Sequence, residues 1–174
     1  MRGKSKAMNE NLPQRKDLRL KNYDYSTTGV YFITICIEKR RNILSNIVGE
    51  GSPLPQLTQY GEIVDRWINL ITEKYPEIEI DCYVIMPNHI HLLLSLTNEN
   101  GRGNPSPTVD SVIGWFKYNA TKEINQPRKV AGDKVFQRSY YDHIVRNQKD
   151  YEECYKYINE NPLKWQFDEL YCEE

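Results

Sequence analysis

The sequence predicts an α+β fold, an antiparallel sheet with helices packed on one of its faces. Three observations carry this. Four β-branched, apolar segments alternate at a period of two, three others space their apolar residues as helices do, and they run in the order strand, helix, strand, strand, helix, strand, helix. That order is the β-α-β-β-α-β layout of a ferredoxin-like sheet with one further helix at its end.

The elements follow in turn. Residues 1–28 are polar and without periodicity, end in the turn-forming STTG, and are expected to form a flexible basic N-terminal arm. Residues 29–174 are then expected to form one domain. GVYFITICIEKR alternates and reads as a strand, and NILSNIVGEGSPLPQ, with its Gly and Pro, reads as a hairpin or loop. From Thr58 onward, Tyr60, Ile63, Val64, Trp67, Leu70 and Ile71 recur at helical spacing until Pro76. EIEIDCYVIM and HIHLLLSL read as strands flanking a tight turn at Pro87-Asn88. A loop, TNENGRGNPSPT, leads to a helix capped by Thr108 with Val109, Val112, Ile113, Phe116 and Ala120 on one face, which must stop before Pro127. VFQRSYYDHIVR reads as the fourth strand. The last helix is expected from about Lys149 or Asp150 to about Asn161, where Pro162 ends it.

The 174 residues suffice for one domain with a real core, at 39% hydrophobic and 27% charged. No run approaches the roughly 18–20 apolar residues of a membrane span, and MRGKSKAMNENLPQRK lacks the apolar stretch of a secretory signal. Cys36, Cys82, Cys154 and Cys172 show no C-x-x-C pairing and are expected to be reduced thiols in a cytoplasm. A net charge of −1 argues against bulk electrostatic coating of nucleic acid. The distribution is uneven: residues 1–29 carry seven Lys/Arg against three acids, 117–149 eight against three, and 150–174 two against eight. Two basic segments can form a local positive face for phosphates, although solvation alone would also account for them.

The most informative stretch is YVIMPNHIHLLLSL, residues 83–96. On a strand, His89 and His91 share one face about 7 Å apart, while Ile90, Leu92 and Leu94 point to the other. Two imidazoles held this way can converge on a cation, or can be incidental residues on a half-exposed sheet face. A third ligand has to come from elsewhere. In DYEECYKYINENP, the residues Tyr151, Cys154, Tyr155 and Ile158 form an apolar stripe expected to pack on the sheet, while Tyr157 and Asn161 lie on one flank a turn apart. Two imidazole nitrogens and an amide oxygen suit Mg²⁺ or Mn²⁺ better than a closed zinc site. Position alone equally makes Asn161 a helix C-cap before proline.

HIH within YVIMPNHIHLLL resembles the HUH motif (His, bulky apolar, His) of the single-tyrosine HUH transposases. These include insertion-sequence enzymes and the REP-associated tyrosine transposases. The resemblance spans about Leu20 to Trp165, through LKNYDYSTTGVYFITICIEKR, MPNHIHLL, IGWFKYNAT, FQRSYYDHIVR and YINENPLKW. HUH alone is a short pattern; MPNHIH, then YYDHIVR, then YI-x-x-NP in this order is specific. The resemblance implies a ferredoxin-like sheet with the HUH motif on a central strand and the nucleophile on a late helix. It places the nucleophile at Tyr157 and the metal ligands at His89, His91 and Asn161. Insertion-sequence members generally carry Gln at the third ligand, so Asn followed by Pro resembles the REP-associated branch. FQR stands where relatives often have WQR.

The implied activity is metal-dependent cleavage and rejoining of single-stranded DNA through a 5′-phosphotyrosine, with Mg²⁺ or Mn²⁺ and without ATP. The sequence has no G-x-x-x-x-G-K-[ST] phosphate loop, which agrees. The implied partner is single-stranded or hairpin DNA, met by a monomer or homodimer. Arg15, Lys16, Arg19 and Lys21 of the arm, with Arg128, Lys129, Lys134 and Arg138, are the candidate phosphate contacts. His143 reads as a structural or DNA-side residue. Two other readings remain open: a module that binds single-stranded nucleic acid without cutting it, and a nuclease whose nucleophile is metal-bound water.

Overall fold

A computed structural model describes residues 24–48, 55–97, 107–127 and 132–172. Expectations placed on the arm before residue 24, on most of the TNENGRGNPSPT loop, and on Arg128 and Lys129 lie outside the described residues. The elements are β1 (Gly29–Cys36), β2 (Ser45–Asn46), β3 (Gln56–Leu57), α1 (Gln59–Lys74), β4 (Ile78–Ile85), β5 (His89–Leu96), α2 (Val109–Asn125), β6 (Tyr141–Val145) and α3 (Gln148–Glu160). A 3₁₀ turn, Asn161–Phe167, follows α3.

Four strands form one antiparallel sheet in the order β4-β5-β1-β6, with β5 and β1 inside. This is the ferredoxin-like order that the strand-helix alternation predicts. The β1–β5 register sets Thr34 opposite His91 and Cys36 opposite His89. Directly opposed residues share a face, so the Thr34 side chain meets His91. The β4–β5 turn is tied down at its tip: the Pro87 carbonyl accepts from the Ile43 and Leu44 amides, and the Asn88 carbonyl from Ile37. The histidines therefore begin a strand whose start is fixed by backbone bonds from another loop.

Alternation splits the sheet into two apolar faces. Tyr31, Ile33, Ile35, Ile90, Leu92 and Leu94 pack with Val64, Ile68 and Ile71 of α1 and with Val112, Phe116 and Ala120 of α2. Both helices start where a threonine hydroxyl caps them: Thr58 accepts from Tyr60 and Gly61 amides, and Thr108 forms a reciprocal capping box with Ser111. Gly61 is required at its place, because a Cβ there would sit 2.1 Å from the Leu44 carbonyl oxygen.

The opposite face is smaller and holds Val84, Met86 and Leu93 against Ile158 of α3 and Trp165 of the 3₁₀ turn. The expectation of helices on one face thus holds for the two crossover helices and not for α3, which covers the face bearing the histidines. The contact that decides this is made by Ile158, the one buried residue of α3. Its burial contributes about 1.5–3 kcal/mol and keys the helix to the Leu93 side of the sheet.

Two further expectations need correction. β6 covers only Tyr141–Val145, and Phe136 makes a single bridge to Ile37. Between that bridge and β6, the carbonyls of Gln137 and Arg138 accept from Lys117 Nζ, at 2.5 and 3.0 Å. α3 ends as expected, at Glu160 with Asn161 as its C-cap. Pro162, which lacks an N–H and fits the first positions of a helix, then stands at the start of a 3₁₀ turn. Tyr155 leaves the packed stripe and is 44% exposed, stacked on Tyr151.

Candidate functional site

The site lies between β5 and α3. His89 and His91 are fully or almost fully buried, which removes the half-exposed reading, and their ring centroids lie 4.5 Å apart. Each ring is held at Nδ1. His89 Nδ1 lies 2.8 Å from Asn88 Oδ1, and an amide oxygen can only accept, so Nδ1 carries the proton and Nε2 keeps its lone pair. The Asn88 amide is oriented in turn by donating Nδ2 to the Leu170 carbonyl at 2.9 Å. His91 Nδ1 lies 2.8 Å from Thr34 Oγ1. Phe32 stacks on the His91 ring and Trp165 lies 5.8 Å from that of His89, so the rings are also wedged by aromatic neighbours.

Burial holds both imidazoles neutral. His89 is brought down to about 4 chiefly by desolvation, with the Asp168 charge opposing, and His91 is pushed well below its ordinary value by burial and then by His89. Neutral imidazole is the form that ligates metal.

Tyr157 and Asn161 reach the same place from α3. The Tyr157 ring lies edge-on to His91 at 5.1 Å between centroids, and is 46% exposed on its outer side. Asn161, 3% exposed, ends the helix and is its C-cap by position, but its side chain turns inward. Burial, and then the neighbouring Asp168 charge, push the Tyr157 phenol up to about 12. A cleft of about 380 Å³ opens onto Tyr157 and Asn161 and is lined also by Lys156, Lys164, Asp168 and Phe167. Phe167 is 87% exposed, unusual for a phenylalanine.

Among the described residues, five buried side-chain polar atoms lack a hydrogen-bond partner, and three of them are His89 Nε2, His91 Nε2 and Asn161 Oδ1. Buried polar atoms are rarely left unpaired. Two imidazole lone pairs and an amide oxygen make a donor set that fits a divalent cation of the Mg²⁺/Mn²⁺ kind, and an Asp168 carboxylate oxygen lies within 4.8 Å of a nitrogen of each histidine. His89, His91, Tyr157 and Asn161 are thus brought together.

Other candidates fall elsewhere. Arg15, Lys16, Arg19, Lys21, Arg128 and Lys129 lie outside the described residues. Lys134 and Arg138 are exposed and line a groove of about 1040 Å³ with Lys117 and Lys122 of α2, away from the histidines. His143 is exposed and lies 2.8 Å from Asp150, which also accepts the Arg146 amide and so braces the start of α3. Asp168, Thr34 and Asn88 were not singled out by sequence reasoning. Thr34 follows once the β1–β5 register is known; Asp168 is one of eight acids in the tail, and nothing in its spacing separates it from them.

A ferredoxin-like sheet carrying paired histidines on an inner strand, faced by a tyrosine from a late helix, defines the architecture of the HUH nucleic-acid enzymes. The family described as "Transposase IS200 like" matches residues 25–161, and the chain belongs to this family of DNA transposases. A Haemophilus influenzae protein described as uncharacterized is 32% identical over 95% of this chain and 97% of its own length. The REP-associated tyrosine transposase of Escherichia coli (strain K12) is 27% identical over 80% of this chain and 70% of its own. A solved structure of a REP-associated tyrosine transposase bound to a REP hairpin shares the fold, with a TM-score of 0.55 at 20% identity, over 86% of this chain and 76% of that one. Among the described residues no helix is long and apolar enough to cross a membrane.

Proposed function

We propose that the protein cleaves and rejoins single-stranded DNA through a covalent bond between Tyr157 and a 5′ phosphate, with a divalent cation at His89, His91 and Asn161. The observation that carries the reading is the set of three buried, unpartnered ligand atoms beside a half-exposed tyrosine. Mg²⁺ or Mn²⁺ there would draw charge from the scissile phosphate and offset its negative potential.

The chain's own residues supply the rest. Asn88 and Thr34 hold the imidazoles with Nε2 turned outward from their Nδ1 bonds. Tyr157, donating to Asp168 Oδ2 at 3.2 Å, stands at the cleft as the nucleophile. Its oxygen bonds to phosphorus, the bond from phosphorus to the 3′ oxygen breaks, the phenol proton passes to solvent, and the leaving 3′ oxygen takes a proton from solvent. The reverse attack by a 3′-OH rejoins a strand, so the phosphodiester is conserved and no nucleotide triphosphate is consumed.

The relative solved with a REP hairpin supports hairpin-flanked single-stranded DNA as the substrate. Lys134 and Arg138, beside Lys117 and Lys122 on the α2 groove, suit phosphate contacts, as do Arg15, Lys16, Arg19 and Lys21 of the arm and Arg128 and Lys129. Phe167 at the cleft offers a face for an unpaired base. The non-cutting module leaves the three orphan atoms without a purpose. The metal-water nuclease leaves the placement of Tyr157 against His91 unexplained.

The test is strand cleavage of an oligonucleotide carrying a hairpin and single-stranded flanks. It is expected with Mg²⁺ or Mn²⁺, to stop on chelation, and to be lost in His89→Ala and His91→Ala. Cleavage that persists unchanged in both variants would overturn the metal reading.

A further inference from the structure

We infer that Asp168 is a positioning residue that locks the Asn161 amide and the Tyr157 hydroxyl into one arrangement. The inference rests on the function proposed above and adds a residue to it. Asp168 lies seven residues past Asn161, beyond the span over which the transposase family matches.

A carboxylate only accepts hydrogen bonds. Asp168 Oδ2 receives Asn161 Nδ2 at 2.7 Å and the Tyr157 hydroxyl at 3.2 Å. Its Oδ1 receives the Leu170 amide at 2.6 Å, which anchors the carboxylate itself. Because Nδ2 must face the acceptor, the Asn161 amide cannot flip, and Oδ1 is left as the buried, unpartnered atom. An amide free to rotate would present its NH₂ to a cation half of the time, and a donor repels a cation. The same oxygen fixes the rotor of the Tyr157 hydroxyl. One side chain therefore orients a ligand and the nucleophile together, from a backbone held by the 3₁₀ turn through Trp165 and by the Asp168 amide donating to the Trp165 carbonyl at 3.1 Å.

Asp168 also lies within 4.8 Å of both imidazoles, which raises the question whether it ligates directly. Its two oxygens already take three hydrogen bonds, whereas Asn161 Oδ1 takes none. The amide oxygen is the better-placed ligand, and Asp168 stands behind it.

Asp168→Asn keeps shape and removes both the charge and the obligatory acceptor. Asp168→Ser is the second variant should the first destabilise the fold. Three readouts on the full chain are needed: thermal midpoint, Mn²⁺ affinity by calorimetry without DNA, and the rate of covalent adduct formation on oligonucleotide. A residue that orients a ligand is expected to weaken Mn²⁺ binding about 10–100-fold when removed, with adduct formation slowed and oligonucleotide affinity without metal unchanged. A lowered midpoint with unchanged Mn²⁺ affinity and adduct rate would overturn the inference and make Asp168 structural. Abolition of Mn²⁺ binding equal to that of His89→Ala would also overturn it, by making Asp168 a ligand. Wild-type protein that neither binds Mn²⁺ nor forms an adduct would instead remove the proposed function, and the inference with it.

Discussion

Thr34→Val probes the site from its least obvious member. Thr34 is 7% exposed on an inner strand, and its hydroxyl lies 2.8 Å from His91 Nδ1. Valine keeps the volume and the β-branched shape that a central strand favours, so the perturbation is one hydroxyl. A neutral imidazole always carries one N–H. In the wild type it can sit on Nδ1, donated to Thr34, with the Nε2 lone pair free for a cation. In the variant a buried N–H is left unpartnered whichever nitrogen bears it, costing about 1–3 kcal/mol of stability. The tautomer with hydrogen on Nε2 also becomes competitive, and that tautomer cannot ligate. Loss of a hydrogen bond behind a metal ligand typically costs 10–100-fold in metal affinity, or about 1.4–2.8 kcal/mol. Calorimetric Mn²⁺ titration and urea denaturation measure the two effects separately, and Thr34→Ser, which keeps the hydroxyl, should recover the first. Mn²⁺ affinity equal to wild type in Thr34→Val would refute the assignment of His91 Nε2 as a ligand.

The remaining predictions concern pH and salt. Because burial brings His89 down to about 4 and pushes His91 well below its ordinary value, the unfolded chain binds protons between pH 6.5 and 4 that the folded chain does not. Stability should therefore fall as pH drops through this window, by about 3 kcal/mol from His89 alone, and urea midpoints unchanged from pH 7 to 4.5 would contradict the burial of the imidazoles. Charge reversal at Lys134 and Arg138 should flatten the salt dependence of DNA binding, by about 0.7–0.9 in the log–log slope for each phosphate contact removed. An unaltered slope would move those contacts to Arg15, Lys16 and Arg19.

The sheet and its two crossover helices were legible because their signals are local and periodic. Thr58 and Thr108 cap α1 and α2 where the apolar spacing begins, and the Pro87-Asn88 turn separates two alternating strands. Tyr157 and Asn161 were legible as a pair for the same reason, since four residues make one turn. The side of the sheet that α3 covers was not legible, because one isoleucine and a tryptophan beyond a proline decide it. The shortness of β6 was not legible either, because the carbonyls that precede it, of Gln137 and Arg138, meet Lys117 of a helix about twenty residues earlier. Asp168 was hidden for a related reason: its partners are set by a 3₁₀ turn, whose three-residue period the helical pattern of α3 does not continue.

The central claim is that Tyr157 forms a covalent bond with DNA. Its competitors on the same helix are Tyr151 and Tyr155, which stack on each other, whereas Tyr157 alone of the three contacts His91. Incubation with a single-stranded oligonucleotide and Mn²⁺, denaturing electrophoresis and peptide mass spectrometry should locate a 5′-phosphonucleotide on the peptide containing Tyr157. Tyr157→Phe, which removes one oxygen and keeps the ring against Phe32 and His91, should fold and bind DNA yet form no adduct. An adduct on Tyr155, or cleavage retained in the phenylalanine variant, would contradict the account.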